Sequence, residues 1–228
     1  MENCFNRLEL LIGDKVEKIK NTTVLVIGLG GVGGYAVESL ARLGIGKLIL
    51  VDGDIIEQSN INRQLIATTS TIGKKKTDAW KERVKEINPT IEVTMISEFI
   101  TPDNIDLLFQ EPIDYVIDAC DTISTKKGLI KKCVQKKIAF ISSMGMGNKI
   151  DPTKIECIDI RKTSYDPIAK TIRKMVKEEK MKEKVMTVCS TEQPVKTNTK
   201  TIASNAIVPS IAGLLCTNYI FQEIVKDD

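Results

Sequence analysis

Histidine is absent from the 228 residues of the chain. Its absence excludes Ser-His and Cys-His nucleophiles, a histidine general base and most catalytic zinc sites. Six cysteines are present, but none forms a Cys-x-x-Cys pair, which argues against a disulfide framework and against structural zinc. Any catalysis must therefore use lysine, arginine, carboxylates, hydroxyls, thiols or backbone groups, and we expect no zinc cofactor.

The chain also lacks a large excess of charge and a segment that resembles a targeting signal. Its net charge of +3 does not by itself imply a polyanionic partner. The first seven residues form neither an apolar signal core nor an Arg- and Ser-rich transit peptide, so we expect a cytoplasmic protein. The composition, 42% hydrophobic and 28% charged, is typical of a soluble globular protein, and the length suits a single α/β domain.

Short apolar runs alternate with segments of helical spacing over the first 150 residues. Strands are predicted at 24–27, 47–51, 91–96, 115–118 and 138–142, and helices at 33–43, 74–87 and 126–135. This alternation predicts a mostly parallel Rossmann-type sheet flanked by helices, with ligands beyond the carboxyl ends of the strands. We divide the chain into an N-terminal helical arm (1–20), a nucleotide-binding core (21–150) and a C-terminal extension (151–228).

The pattern changes in the C-terminal extension. A strand is predicted at 156–160 and a lysine-rich helix from Asp166 to about residue 184. Residues 185–204 have few apolar side chains and are predicted to form a long loop, a candidate lid. Residues 206–225 are nearly all apolar, but Pro209, Gly213 and Glu223 interrupt them, which favours a buried or dimer-interface helix over a membrane span.

A glycine-rich turn lies between the first predicted strand and helix. Gly28, Gly30 and Gly33 fit the pattern G-x-G-x-x-G, with Gly31 as a further glycine, so that backbone N–H groups can face a phosphate at a helix N-terminus. Asp52 ends the second strand about 20 residues further on, where an acidic side chain accepts hydrogen bonds from ribose hydroxyls. These features predict a nucleotide site, which would also fit an NAD-dependent oxidoreductase.

Polar and cationic residues then follow that an NAD site does not require. Arg63 and Lys76 can neutralise a triphosphate, Arg63 through a bidentate fork and Lys76 as a point charge. Asp121 follows the strand at 115–118 and can hold Mg²⁺ on the phosphates, whereas Asp118 is interpreted as a strand-end hydrogen-bonding group. These residues predict an ATP site for nucleotidyl transfer. Further polar candidates beside the phosphates are Asp54, Asn60 and Gln64.

Several of these motifs together resemble one known superfamily. Residues 28–33, 52–54, 60–64, 76 and 118–121 are similar to the adenylating enzymes of the ubiquitin-activating type, which include the bacterial activators of sulfur-carrier proteins. Within that superfamily the chain most resembles the dehydratases that act on N6-threonylcarbamoyladenosine in tRNA. The further stretches that carry this similarity are 6–13, 88–89, 101–104, 150–153, 162–167 and 190–192, so it extends along almost the whole chain.

The resemblance implies a fold, a reaction and residue roles. The fold would be a Rossmann-type sheet with a C-terminal antiparallel extension and an interface helix, and ATP would activate the threonyl carboxylate as an acyl-adenylate before ring closure releases AMP. In the implied roles Asp52 binds ribose, Asn60, Arg63 and Lys76 bind the phosphates, Asp121 binds Mg²⁺, and Arg7 reaches into the partner's ATP site in a homodimer. The interrupted apolar segment at 206–225 predicts no membrane partner, and the resemblance leaves open a monovalent cation and a cysteine desulfurase or other sulfur-acceptor partner.

Other functions compete with this interpretation. An activator of a ubiquitin-like sulfur carrier shares the first half-reaction, although such activators commonly contain paired Cys-x-x-Cys zinc ligands, which this chain lacks. An NAD-dependent oxidoreductase and a non-catalytic ATP sensor are two further alternatives. Hydride transfer would identify an NAD-dependent oxidoreductase. An absence of pyrophosphate exchange would identify a non-catalytic ATP sensor.

Two features of the extension are ambiguous. Cys189 lies in the predicted lid, where some relatives carry a catalytic cysteine, but no nearby charge cluster would lower its pKa, so an unreactive thiol is favoured. The basic helix carries four candidate contacts to a tRNA backbone, Lys170, Arg173, Lys174 and Lys177. The same charges would also suit a merely solvated face, and Tyr165, the one aromatic residue of this stretch, argues against a platform for base stacking.

Overall fold

Seven strands form one mixed sheet in the part of the chain that the structure describes, residues 5–199 and 201–226 of a computed structural model. The strands are β1 (Thr23–Ile27), β2 (Lys47–Val51), β3 (Glu92–Ile96), β4 (Tyr115–Asp118), β5 (Ala139–Ser143), β6 (Ile155–Asp159) and β7 (Met186–Ser190). Their order across the sheet is β3-β2-β1-β4-β5-β7-β6, and all neighbours are parallel except β6 and β7. The strand order reverses between β1 and β4, which is where a Rossmann-type sheet binds its ligand.

Helices cover both faces of this sheet. They are α1 (Asn6–Ile12), α2 (Lys15–Lys20), α3 (Gly33–Leu43), α4 (Lys76–Ile87), α5 (Ile123–Lys136), α6 (Pro167–Glu178) and α7 (Val208–Val225). Short 3-10 turns lie at Gln58–Asn60, Ile105–Phe109, Pro152–Lys154 and Ile160–Lys162. The segment predicted as an N-terminal arm contains two helices, α1 and α2, separated by a turn at Gly13 and Asp14, and residues 1–4 lie outside the described part. None of the described helices is long and apolar enough to cross a bilayer.

Two hydrophobic cores lie on opposite faces of the sheet. Val24 and Val26 of β1 belong to the core that includes residues of α3, α4 and α7. Leu25 and Ile27 belong to the other core, together with residues of α5 and α6. Because successive side chains of a strand point to opposite faces, a strand between two cores must be apolar throughout. The uninterrupted apolar run in β1 follows from this position.

The predicted β-α-β unit is confirmed, but two predictions for the extension are wrong. Residues 185–204 do not form one long loop, because β7 lies between β5 and β6 with Thr187, Val188 and Cys189 buried. Pairing with two neighbouring strands stabilises β7, which has only a short apolar segment. The basic helix α6 ends at Glu178 rather than near residue 184, since Lys180 has a left-handed backbone with φ 52°.

The apolar helix α7 is confirmed as a buried helix. It packs so closely on α3 that a Cβ atom at Gly213 would lie 2.2 Å from the carbonyl oxygen of Val32. Thr217 donates a hydrogen bond to the carbonyl oxygen of Ala36, and Ser39 donates one to Thr217. Gly213 and Thr217 therefore anchor α7 to the helix that follows the glycine-rich turn.

Candidate active site

A cavity of about 610 Å³ lies at the carboxyl ends of β1, β2, β4 and β5, where the strand order reverses. Ten of the predicted site residues line it: Gly28, Gly30, Gly31, Asp52, Asp54, Asn60, Arg63, Gln64, Lys76 and Asp121. The parallel strands bring these residues together although up to 93 positions separate them in the sequence, from 28 to 121. The remaining wall includes residues 143–147, from the last residue of β5 onward, and Ile202 from the segment before α7.

The glycine-rich turn has two kinds of glycine. Gly28 has φ 84°, and a Cβ atom there would lie 2.6 Å from the carbonyl oxygen of Ala119. A Cβ atom at Gly33 would lie only 1.7 Å from the carbonyl oxygen of Gly28, so both positions require glycine for packing. Gly30 and Gly31 also line the cavity, but a Cβ atom there would meet no atom closer than 3.4 Å and 3.3 Å, respectively. The turn leads into the N-terminus of α3, where no side chain caps the helix, and backbone N–H groups there suit an anion.

Gln64 provides a second indication of a polar ligand. Its Oε1 atom is buried and has no hydrogen-bond partner, the only such side-chain atom among the residues described. The amide lies beside the glycine turn, with Nε2 3.4 Å from the position of a Cβ atom at Gly30. An unpaired buried acceptor is costly, so a donor on a bound molecule would relieve it. The cavity therefore suits a ligand that carries both phosphate-like groups and hydrogen-bond donors.

Lys76 is the buried cation of the cavity. It is 5% exposed at the start of α4, and its Nζ lies 2.7 Å from Asp54 Oδ2 and 3.6 Å from Asp52 Oδ2. The Asp52 carboxylate is oriented by backbone donors, because Oδ2 accepts from Leu29 N–H and Oδ1 from Asp54 N–H. Asp52 is therefore rigid at the end of β2, and Lys76 is held by two carboxylates within reach of the glycine turn.

Asn60 and Arg63 lie on the loop between β2 and α4. Asn60 is 7% exposed, and its Oδ1 accepts a hydrogen bond from the Glu57 N–H, which fixes the 3-10 turn. Arg63 is half-buried, and its Nη1 donates to the Ser59 carbonyl oxygen at 2.9 Å. The guanidinium is thus oriented by its own loop, and its stem packs beside Gly31. Such an oriented cation suits a phosphate or a developing negative charge.

A buried ion pair that the sequence did not predict supports the floor of the cavity. Lys126 Nζ lies 2.8 Å from Asp118 Oδ2, and neither side chain is more than 1% exposed. Lys126 also donates to the Ser143 carbonyl oxygen, and Asp118 accepts from Ser142 and from Cys120 N–H. Burial lowers the pKa of Lys126, but Asp118 outweighs it, so the net pKa is raised and the lysine stays charged. The expectation that Asp118 is a strand-end hydrogen-bonding group is confirmed.

The carboxylates of the cavity do not form a metal site by themselves. Asp121 is exposed at the end of β4 and lines the cavity with Asp54 and Glu57. In the described part of the chain no group of three or more His, Cys, Asp or Glu side chains could hold a metal ion. Mg²⁺ is commonly bound by one or two carboxylates together with substrate phosphates, so the residues present fit an ion that arrives with a nucleotide.

The thiols near the site are unsuited to nucleophilic attack. Cys189 is 1% exposed in β7 rather than in a lid, and burial, with Asp166 nearby, raises its pKa to about 11. Cys120 lines the cavity, but burial and the neighbouring Asp118 raise its pKa as well. Both thiols are therefore protonated at neutral pH, and the interpretation of Cys189 as unreactive is supported.

The other predicted contacts lie outside the cavity. Arg7 is exposed on α1, on the same helical face as Leu10 and Leu11, which are 88% and 76% exposed. Ile168 near the start of α6 lines the cavity, so the basic helix begins at its edge. The four basic candidates on α6 are not equivalent: Lys170, Lys174 and Lys177 are exposed, whereas Arg173 is half-buried and bonds to Thr163.

Comparison with known proteins identifies the family of the chain. The model of the ThiF family matches residues 5–223. The chain is 42% identical to the tRNA threonylcarbamoyladenosine dehydratase of Bacillus subtilis, over 100% of this chain and 96% of that protein. Crystal structures of the Escherichia coli tRNA N6-threonylcarbamoyladenosine dehydratase in complex with AMP and with ATP are each 33% identical, with TM-scores of 0.91 and 0.90 over 96% of this chain and 93% of the other. The chain therefore belongs to the ThiF family.

Proposed function

We propose that this protein uses ATP to dehydrate N6-threonylcarbamoyladenosine in tRNA to its cyclic form. The observation that carries the proposal is the cavity in which the glycine turn, Arg63, Gln64 and Lys76 meet beside a buried carboxylate, Asp52. The names of its relatives in Bacillus subtilis and Escherichia coli, and the AMP and ATP complexes of the latter, support it. In an activator of a carrier protein the same cavity would need a groove for an extended peptide tail.

The reaction needs no nucleophile from the enzyme. A threonyl carboxylate oxygen attacks the α-phosphorus of ATP, pyrophosphate leaves, and an acyl-adenylate forms. A nucleophilic atom of the same substrate then attacks the activated carbonyl carbon, the bond to AMP breaks, and a proton is lost, so that a ring closes with net loss of water. The absence of histidine and the protonated thiols of Cys120 and Cys189 agree with such a route.

Positioning and charge would account for the protein's contribution. The N-terminus of α3 and Arg63 would bind the phosphates, and Asn60 would hold the loop that carries Arg63. Asp52 would accept hydrogen bonds from the ribose hydroxyls. Lys76 would exchange part of its contact with Asp54 for the phosphates. Mg²⁺, held by Asp121 and phosphate oxygens, would neutralise charge on the pyrophosphate, so Asp121→Asn should abolish Mg²⁺-dependent activity.

We also propose a homodimer in which Arg7 completes the partner's site. The support is the exposed face of α1, where Arg7 lies beside two exposed leucines, an apolar surface typical of a protein contact. Mixing Arg7→Ala with Lys76→Ala subunits should restore one functional site per heterodimer, because both defects would fall in the same cavity and leave the other cavity intact. An active monomer in sedimentation, or no recovery of activity on mixing, would contradict a composite site.

The exposed lysines of α6 are the proposed contact to the tRNA backbone. Lys170, Lys174 and Lys177 follow one face of the helix from the edge of the cavity. Replacing all three with glutamine should weaken tRNA binding and flatten its salt dependence, since fewer counterions are released, while ATP affinity stays unchanged. Arg173→Gln offers a control, because this side chain is bonded to Thr163. Equal salt slopes in the triple variant and the unmodified protein would exclude this face.

The overall proposal is tested on the product. Incubation with ATP, Mg²⁺ and tRNA that carries N6-threonylcarbamoyladenosine should yield a nucleoside lighter by one water in mass spectrometry, with AMP and pyrophosphate in equal amounts. If the nucleoside is unchanged while a carrier protein's C-terminus is adenylated, the carrier-activation alternative replaces the proposal. The cytoplasm is the proposed location, because ATP and tRNA are present there. A monovalent cation and a sulfur-acceptor partner stay predictions of the resemblance.

A further inference from the structure

Tyr165 has an unusual backbone for an aromatic residue. It lies between the 3-10 turn at Ile160–Lys162 and α6, with φ 55° in the left-handed region. Bulky side chains rarely adopt this conformation, which favours glycine and asparagine. The ring is 58% exposed and therefore contributes little to the hydrophobic core. Packing alone does not explain an aromatic residue at this position.

The surrounding residues hold this turn in place. Asp166, the next residue, is 3% exposed, and its Oδ1 accepts a hydrogen bond from the Ala169 N–H at the start of α6. Its Oδ2 lies 3.4 Å from the Nζ of Lys149, and both side chains are almost completely buried. Asp166 N–H also donates to the Ser164 carbonyl oxygen at 2.7 Å. A buried ion pair and a helix cap thus fix the backbone on one side of Tyr165, and strain that is over-determined in this way is typical of functional sites.

The same ion pair connects Tyr165 to the cavity wall. Asp166 Oδ2 lies 2.7 Å from the position of a Cβ atom at Gly145, and Gly145 lines the cavity together with Ile168. Tyr165 is therefore one residue away from a side chain that packs on the wall. The exposed lysines of α6 begin five residues later, at Lys170. Tyr165 thus lies beside a residue that packs on the cavity wall, at the start of the segment that carries these lysines.

We propose that Tyr165 stacks on an unpaired nucleobase next to the modified adenosine of the RNA substrate. The inference rests on the proposed function. The N6 atom of adenine lies on its pairing edge, so an adenosine whose N6 substituent enters the cavity cannot be base-paired, and its neighbours are accessible. Aromatic rings stack on any base, and proteins read unpaired RNA largely in this way. One ring serves one base, which agrees with the absence of a larger aromatic platform in this stretch.

Two substitutions separate the ring from the backbone. Tyr165→Asn removes the ring but tolerates the left-handed conformation, so the variant should fold at least as stably as the original protein. Tyr165→Phe keeps the ring. With an RNA hairpin that carries the modified adenosine in its loop, Tyr165→Asn should raise KM about tenfold and Tyr165→Phe less than about twofold, whereas ATP affinity in calorimetry stays the same in both.

A double cycle identifies the stacked base. Two further hairpins each have an abasic site on one side of the modified adenosine. If Tyr165 stacks on the missing base, Tyr165→Asn should raise KM no further on that hairpin, and its effect should be additive on the other. Equal KM values for the original protein and Tyr165→Asn on the intact hairpin, or additive effects on both abasic hairpins, would overturn the inference.

The proposed function can fail separately. If no cyclic product forms with the original protein, 2-aminopurine placed beside the modified adenosine still reports stacking in a binding titration. Quenching by the original protein and by Tyr165→Phe, but not by Tyr165→Asn, would support the contact without turnover. Equal quenching by all three proteins would refute it, as would a change in sedimentation of Tyr165→Asn, which would place the ring between subunits.

Discussion

Adding one methyl group at two glycines of the same turn should have opposite effects. At Gly30 the new Cβ atom would meet only the Gln64 side chain, 3.4 Å from Nε2, and the φ of Gly30 is not positive. Gly30→Ala should therefore fold normally, and the reduced entropy of the unfolded chain should add up to about 1 kcal/mol of stability. At Gly33 the Cβ atom would lie 1.7 Å from the Gly28 carbonyl oxygen. Backbone must then move, and we expect Gly33→Ala to cost about 3 kcal/mol.

Although Gly30→Ala should not destabilise the fold, we expect it to weaken ATP binding. Its Cα faces the cavity, where a methyl group would occupy space that we assign to a phosphate. A 10- to 100-fold rise in Kd, about 1.4 to 2.8 kcal/mol, is the expected result. Urea unfolding without ATP measures the stability of each variant, and calorimetry measures ATP affinity. At a fixed ATP concentration the shift in unfolding midpoint should also shrink for Gly30→Ala.

Two outcomes would refute this reasoning. A folded Gly30→Ala variant with unchanged ATP affinity would mean that the phosphates do not lie over the glycine turn. An unchanged urea midpoint for Gly33→Ala would mean that Gly33 does not lie against the carbonyl oxygen of Gly28 as described.

Three further predictions concern charge and thiol chemistry. Arg63→Ala and Lys76→Ala should each lower turnover about 100-fold with smaller losses in unfolding free energy, and near-normal rates would remove adenylation from consideration. Burial raises the pKa of Glu38, but hydrogen bonds from Arg83 and Arg42 outweigh burial and lower it below the usual value for a glutamate. Glu38→Gln should therefore cost about 1–3 kcal/mol in urea unfolding at pH 7, and the difference should shrink as pH falls from the usual glutamate pKa through the lowered pKa of the folded protein; a constant difference would contradict the ion pair. Cys189→Ala should keep turnover within about twofold in steady-state assays, and a complete loss would restore the catalytic cysteine.

Features of the structure that depend on neighbouring residues could be predicted from local patterns in the sequence. The glycine-rich turn follows from six consecutive positions, and α3 ends at Gly44, whose φ of 81° makes it a glycine cap. The clustering of Asp52, Lys76 and Asp121 was also predictable, because the carboxyl ends of parallel strands meet at one edge of the sheet. These inferences require the order of the elements but no knowledge of side-chain contacts.

The errors concern elements that depend on distant partners. β7 has only five residues, of which Met186, Val188 and Cys189 are apolar, and this short strand forms because β5 and β6 supply pairing on both sides. Lys126 resembles a surface lysine of a basic helix, since its partner Asp118 precedes it by eight positions and belongs to another element. Arg173 likewise resembles a free basic residue, although it is bonded to Thr163.

The nucleotide turn, the alternation of strands and helices in the Rossmann-type core and ten of the residues around the cavity could be predicted from the sequence, because backbone geometry and strand polarity depend on local patterns. Only the tertiary structure decided which charges are buried and paired, such as Lys126 with Asp118 and Lys149 with Asp166, and which remain exposed for a partner. The reason is physical: burial of a charge requires a partner in direct contact, and that contact is made by folding rather than by position along the chain.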